Sequence, residues 1–122
     1  MILILTTYPD KKSAITIAKV LITKKFAACI NIIKLENSIY LWKGKIETKG
    51  EYLLLIKTTE NNYSIIEKSI KQNHPYEVPE ILCIEIKEGH QNYLKWINSS
   101  AQKPQNIDLD LIKKMNKNYS KK

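Results

Sequence analysis

The apolar positions change period several times along the chain, and each change predicts an element. Residues 2–7 (ILILTT) are a continuous apolar and threonine run closed by Tyr8-Pro9, the pattern of a short buried strand. Asp10 is placed as an N-cap for a helix running to about Lys25. Along it Ala14, Ile17, Ala18 and Leu21 recur at helical spacing, and Ile15 and Ile22 widen the stripe. Lys24 and Lys25 fall in its expected last turn, where cations suit the helix dipole. From Ala28 to Trp42 the pattern is extended. Ile30 and Ile32 share one face and Cys29, Asn31 and Ile33 the other, and the polar stretch Lys34–Asn37 predicts a bend or bulge. Lys43-Gly44-Lys45 is a hairpin turn, followed by a return strand of Ile46–Glu47, a soft Thr48-Lys49-Gly50, and Glu51–Thr59.

A second helix is expected from about Glu60 to Asn73, with Tyr63, Ile66 and Ile70 inward. It ends at His74-Pro75-Tyr76-Glu77-Val78-Pro79-Glu80, a stiff extended elbow, because each proline pushes the residue before it out of helical conformation. Ile81–Lys87 then alternates Leu82, Ile84 and Ile86 against Cys83, Glu85 and Lys87, as an edge-like strand with one face covered. Gly89-His90 is a turn, and a short third helix over Asn92–Ser99 carries Tyr93, Leu94, Trp96 and Ile97. After residue 100 the composition turns to Gln, Lys, Asn and Ser, with Ile107, Leu111, Ile112 and Met115 spaced for one more short helix.

The order β-α-β-β-α-β-α predicts an α+β fold, a ferredoxin-like split β-α-β sandwich with an antiparallel sheet and an extra C-terminal helix. The first and third strands are its central pair. Both carry apolar side chains on both faces: Ile2, Leu3, Ile4, Leu5 and Leu53, Leu54, Leu55, Ile56. Two helices cover only one face of such a sheet. A second apolar face left in water is a drive to associate, so a homo-oligomer packed through its sheets is expected. The competing arrangement folds the third helix and tail over that face.

Length and charge narrow the classes. With 122 residues the chain is one domain, residues 1–100, followed by a polar Lys/Asn-rich extension, 101–122. No apolar window reaches the length of a membrane span, and the apolar start lacks the flanks of a signal peptide, so a cytoplasmic protein is expected. Two cysteines without a CxxC make a disulfide framework improbable. The net charge is +8, carried by lysine with no arginine, and six lysines against two aspartates lie in residues 101–122. Without arginine there is no bidentate reader of bases, so no specific nucleic-acid partner is expected.

The chemistry candidates are few. The elbow gathers an imidazole, a phenol and two carboxylates, suited to a metal, a small polar ligand or a partner, or simply to a rigid joint. His74, Cys29 and Cys83 are the soft or borderline donors, but no pair has metal-ligand spacing, and a free cysteine commonly packs as a small hydrophobe. His90 fits a helix start. There is no GxSxG and no phosphate-cradling loop, and Glu77 with Glu80 is a weak acid/base pair, so no enzyme is expected. Tyr40 and Trp42 share a strand face, with Lys57 on the partner strand; such a set lines a small-ligand cleft or anchors an interface. Trp42 is assigned to an interface, and Tyr40 and Lys57 stay open.

Ala27-Ala28-Cys29-Ile30-Asn31, Ser38-Ile39-Tyr40-Leu41-Trp42-Lys43-Gly44-Lys45, Ile56-Lys57-Thr58-Thr59 and the whole elbow resemble, in order, the motifs of the CutA divalent-cation tolerance family. Tyr93-Leu94-Lys95-Trp96-Ile97 is similar to that family's closing helix. The likeness covers about residues 1–100. It implies a ferredoxin-like subunit in a tight homotrimer, similar in architecture to PII signalling proteins. It also implies a cytosolic link to tolerance of copper and other divalent metals, with Cu(II) or another divalent ion bound weakly. The family's metal binding is associated with the end of the first strand and with elbow histidines. Here only His74 matches: Thr6 stands where some members have cysteine, and Asn73 where some have a second histidine. Cys29, at a shared position, becomes the thiol candidate. The alternative implied is a PII-like regulator whose inter-subunit clefts, near His74, Tyr76, Glu77, Glu80, Tyr40 and Lys57, take a small anionic metabolite or a partner protein.

Overall fold

The computed structural model describes residues 1–102. Its elements are β1 (Ile2–Tyr8), α1 (Lys11–Thr23), β2 (Cys29–Trp42), β3 (Lys45–Thr58), a 3₁₀ turn at Glu60–Asn62, α2 (Tyr63–Asn73), β4 (Ile81–Glu85) and α3 (Gln91–Ser100). The four strands form one antiparallel sheet in the order β2-β3-β1-β4, so β1 and β3 are central. This is the ferredoxin-like α+β arrangement.

Asp10 caps α1, accepting from the Ser13 backbone N–H at 2.7 Å. The helix is shorter than its apolar pattern suggests and stops at Thr23. Lys25 adopts a left-handed conformation (φ 61°), and the N–H groups of Lys25 and Phe26 turn back to the carbonyls of Ile22 and Leu21. That pair of bonds is a Schellman stop, and it leaves Lys24 and Lys25 beyond the last turn rather than in it. Ala14, Ile17, Ala18 and Leu21 are buried as their spacing predicts, while Ile22 is exposed.

The long strands β2 and β3 are continuous through the polar stretches that interrupt their patterns. Between the pairs Leu35–Glu51 and Ser38–Lys49, β2 holds one residue more than β3. This bulge keeps Leu35 and Ser38 on the same side as Glu51 and Lys49. The hairpin closes on Lys43 and Gly44, both at positive φ (50° and 80°), the two-residue turn that matches strand twist.

One face of the sheet carries Ile2, Ile4, Tyr8, Leu54 and Ile56 against α1 and α2, with Ile65, Ile66 and Ile70 inward from α2. Tyr63, expected among the inward residues, is only half-buried, and Ser69 takes a buried place. The α1–β2 connection and the turn that follows β3 are tied together at the Phe26 carbonyl, which accepts from Thr58 Oγ1 (2.6 Å) and Asn62 Nδ2 (2.8 Å).

Register puts Leu3 and Leu5 of β1, Leu53 and Leu55 of β3, Cys29 and Ile33 of β2, and Leu82 and Ile84 of β4 on the opposite face. Among the described residues this face is open: Leu82 is 53% exposed, Ile84 48% and Ile33 46%. The expectation that the apolar side of β4 is covered is therefore corrected, and the strand ends at Glu85 rather than Lys87. The α3 helix buries Ile97, and it touches the open face at one end, where Lys57 Nζ donates to the Tyr93 hydroxyl at 3.2 Å. The further helix suggested by Ile107, Leu111, Ile112 and Met115 lies outside the described residues.

Candidate functional site

His74 is the residue at which α2 stops: Pro75 demands extended backbone before it, and His74 sits at φ −72°, ψ 136°. Its ring then reaches back 67 residues to the first strand. Nε2 lies 2.6 Å from the Thr7 carbonyl oxygen, and Nδ1 accepts from the Tyr76 backbone N–H at 3.0 Å. A carbonyl only accepts, so Nε2 carries the proton and Nδ1 the lone pair; both ring nitrogens are spent. The imidazole is also wedged between aromatic rings, with centroids 4.3 Å from Tyr8 and 4.9 Å from Tyr76. Burial pushes its pKa below the ordinary 6.5, against the bond to Thr7 and the nearby Glu51 charge, which raise it. The ring is a neutral fastener of the elbow to β1.

The elbow in turn aims Tyr76 at the sheet, where its hydroxyl donates to Glu51 Oε2 at 2.9 Å. Burial, then the bond to Glu51, raises the Tyr76 pKa above its usual 10, so the phenol stays a donor. Glu51 is 6% exposed, although it opens the apolar run of β3. Between the elbow and the β2–β3 hairpin runs a groove of about 800 Å³. The hairpin contributes Tyr40, Trp42, Lys49 and Glu51; the elbow contributes Tyr76, Glu77 and Glu80. Leu5, Leu53 and Leu82 belong to it as well, so the groove is continuous with the open sheet face.

Five of the residues singled out in the sequence thus come together: Tyr40, Trp42, Tyr76, Glu77 and Glu80. Lys57 does not join them. It pairs with Cys29, six residues along β3 from Glu51, which is roughly 20 Å at the rise of a strand. Its ammonium instead sits over the Tyr93 ring at 5.5 Å. The lysine of the groove is Lys49, and the buried acid is Glu51. Sequence reading passed over both because they flank Gly50 in the soft part of the strand; only register puts them on the groove side.

The soft donors do not converge within one chain. His74 bonds to Thr7, which pairs with Leu53, four residues and roughly 13 Å along β3 from the position opposite Cys29. Thr6 is buried, and Asn73 Oδ1 accepts from the Tyr8 hydroxyl at 3.0 Å. Among the described residues no group of three or more His, Cys, Asp or Glu could hold a metal ion. A first-strand and elbow metal site does not fit this chain by itself.

The sequence model of a family described as CutA1 divalent ion tolerance protein matches residues 2–100. The divalent-cation tolerance protein CutA of Thermus thermophilus is 41% identical over 98 residues, covering 80% of this chain and 95% of that protein. The chloroplastic CutA 1 of Oryza sativa is 39% identical over 101 residues, 83% of this chain, which spans 57% of the rice protein. Among solved structures, the Thermus thermophilus protein superposes with a TM-score of 0.80 at 40% identity, covering 84% of this chain and all of that one. A CutA from Archaeoglobus fulgidus, described as periplasmic, gives a TM-score of 0.80 at 35% identity over 84% of this chain and all of its own. No helix among the described residues is long and apolar enough to cross a membrane. Motif order, topology and these likenesses agree, and the chain belongs to the CutA1 divalent ion tolerance protein family.

Proposed function

We propose that this chain serves divalent-metal tolerance in the cytoplasm as a homotrimer, binding Cu(II) or another divalent ion weakly and catalysing no reaction. The observation that supports assembly is the open sheet face, whose half-exposed Leu82, Ile84 and Ile33 lie on the apolar side left free by both main helices. The number three follows the family likeness. A metal site in this reading is completed between copies, since one chain does not gather the donors.

Cys29, half-buried on the open face at the β2 edge, is the thiol that a neighbouring copy would meet. His74 ligates only by giving up the Tyr76 N–H or the Thr7 carbonyl, and its role here is to hold the elbow. Cu(II) titration of the assembled protein by calorimetry tests this. Saturable heat is expected, with affinity weakened about tenfold or more in Cys29→Ser, while His74→Ala keeps the affinity and loses stability. Absence of saturable heat in the unaltered protein would remove metal as a ligand.

The groove supports a second reading, a PII-like regulator that binds a small molecule beside the elbow. Its mixed aromatic and charged walls, at the edge of the face where copies would meet, suit a small ligand held between copies. A thermal-shift screen checks it, because a ligand that binds the folded form raises the melting temperature.

A further inference from the structure

The excess positive charge of the chain is confined to two stretches. Residues 10–25 hold five lysines and one aspartate, and residues 101–122 hold six lysines and two aspartates, while the nine lysines and nine glutamates of residues 26–100 cancel. Along α1 and its stop, Lys11, Lys12, Lys19 and Lys25 are exposed, with Lys12 and Lys19 seven residues apart on one stripe of the helix. The ion pair formed among the described residues is that of Met1 with Glu60, so these ammonium groups have no carboxylate partner there. The α1 helix packs on the side of the sheet opposite the face at which copies would meet, so its lysines stay in water when the protein assembles. The two basic stretches also adjoin. Gln102 donates its backbone N–H to the Lys25 carbonyl at 2.8 Å, which starts the extension beside the basic end of α1. In the sequence that follows, Ile107, Leu111, Met115 and Tyr119 recur every four residues, and Lys113, Lys117 and Lys121 do the same two residues out of step. At helical period the two series fall on opposite sides, the pattern of an amphipathic segment that lies in a bilayer interface. The family match ends at residue 100, so this extension is a feature of the chain beyond it.

From this we infer that α1 and the C-terminal extension together form a docking surface for an anionic lipid bilayer. The lysines of both stretches meet the lipid phosphates, and the apolar series of the extension enters the headgroup boundary. A nucleic acid fits less well. A single strand is held by aromatic faces set among the cations, and residues 10–25 contain no aromatic residue. A duplex offers no apolar layer to receive the isoleucine, leucine and methionine of the extension, and the chain has no arginine to read its bases.

The test uses the full chain, cosedimented at low ionic strength with vesicles of phosphatidylcholine alone or of phosphatidylcholine with an equal part of phosphatidylglycerol. Binding is expected to the phosphatidylglycerol vesicles and not to the others, with release as salt is raised. The double variant Lys12→Gln/Lys19→Gln should weaken it by at least about fivefold for each lysine, the scale of one cation near a charged bilayer. Leu111→Gln/Met115→Gln should weaken it about tenfold or more through lost apolar insertion, with an unchanged melting temperature. Equal binding to both vesicles, binding to neither, or unchanged affinity in either variant overturns the inference. Tighter binding to single-stranded oligothymidylate than to the anionic vesicles assigns the surface to nucleic acid and also overturns it. A lowered melting temperature in Leu111→Gln/Met115→Gln places the apolar series on the protein itself, with the same consequence.

Discussion

His74 shows how a residue of ligand chemistry is put to structural use. With Nε2–H on a β1 carbonyl and Nδ1 receiving the Tyr76 N–H, it joins the elbow to the first strand at both nitrogens. Its replacement by alanine removes both bonds and leaves two partly buried backbone groups without them, an expected loss of about 1–3 kcal/mol by denaturant unfolding. A proton added at Nδ1 would face the Tyr76 N–H donor-to-donor, so the folded arrangement disfavours the charged form. The folded pKa lies below the unfolded 6.5, so the unfolded chain takes up more protons between those values. Stability attributable to His74 is therefore full above about pH 6.5 and falls as pH drops through the lowered folded pKa. Urea unfolding from pH 7.5 to 5 should show that decline, and His74→Ala should remove this part of it. Tyr76→Phe leaves Glu51 buried without its donor and is expected to cost about 1–3 kcal/mol. The extended shape of the elbow was legible from its prolines. The partners of its side chains were not, because they lie 67 and 25 residues away and depend on how the chain folds back.

The elements themselves were readable where period and punctuation agree. Asp10 before an apolar stripe gave the start of α1, and its end was missed by two residues because Lys25 does there what glycine or asparagine ordinarily does. Lys25→Gly should accordingly stabilise the protein by about 1 kcal/mol, relieving a left-handed backbone, whereas Asp10→Ala should cost about 1 kcal/mol of capping, both seen as midpoint shifts in chemical denaturation. The bulge was visible as the polar stretch Lys34–Asn37, but its consequence was not. One extra residue resets which side of β2 faces the groove, and that puts Tyr40 and Trp42 on the same side as Lys49 and Glu51, while Lys57 is left out by its distance along β3. Strand alternation alone fixes faces only up to the first irregularity.

At the scale of the whole molecule, apolar residues on both sides of β1 and β3 announced a face that two helices do not cover, and among the described residues it is left open. Each aliphatic side chain taken out of water there is worth about 1.5–3 kcal/mol, enough in sum to favour association. Leu82 and Ile84 are half-exposed in the single chain, so lysine at either position costs the isolated fold little but places a charge where copies would meet. Leu82→Lys and Ile84→Lys should therefore keep the circular dichroism of the fold and lose the assembly. The number and arrangement of copies were not written in strand periodicity, which reports only that a face needs cover. Sedimentation equilibrium of the unaltered protein at micromolar concentration tests the matter most directly. A single species at three times the 14.2 kDa chain mass is the expected result, and a stable species at the mass of one chain would contradict it.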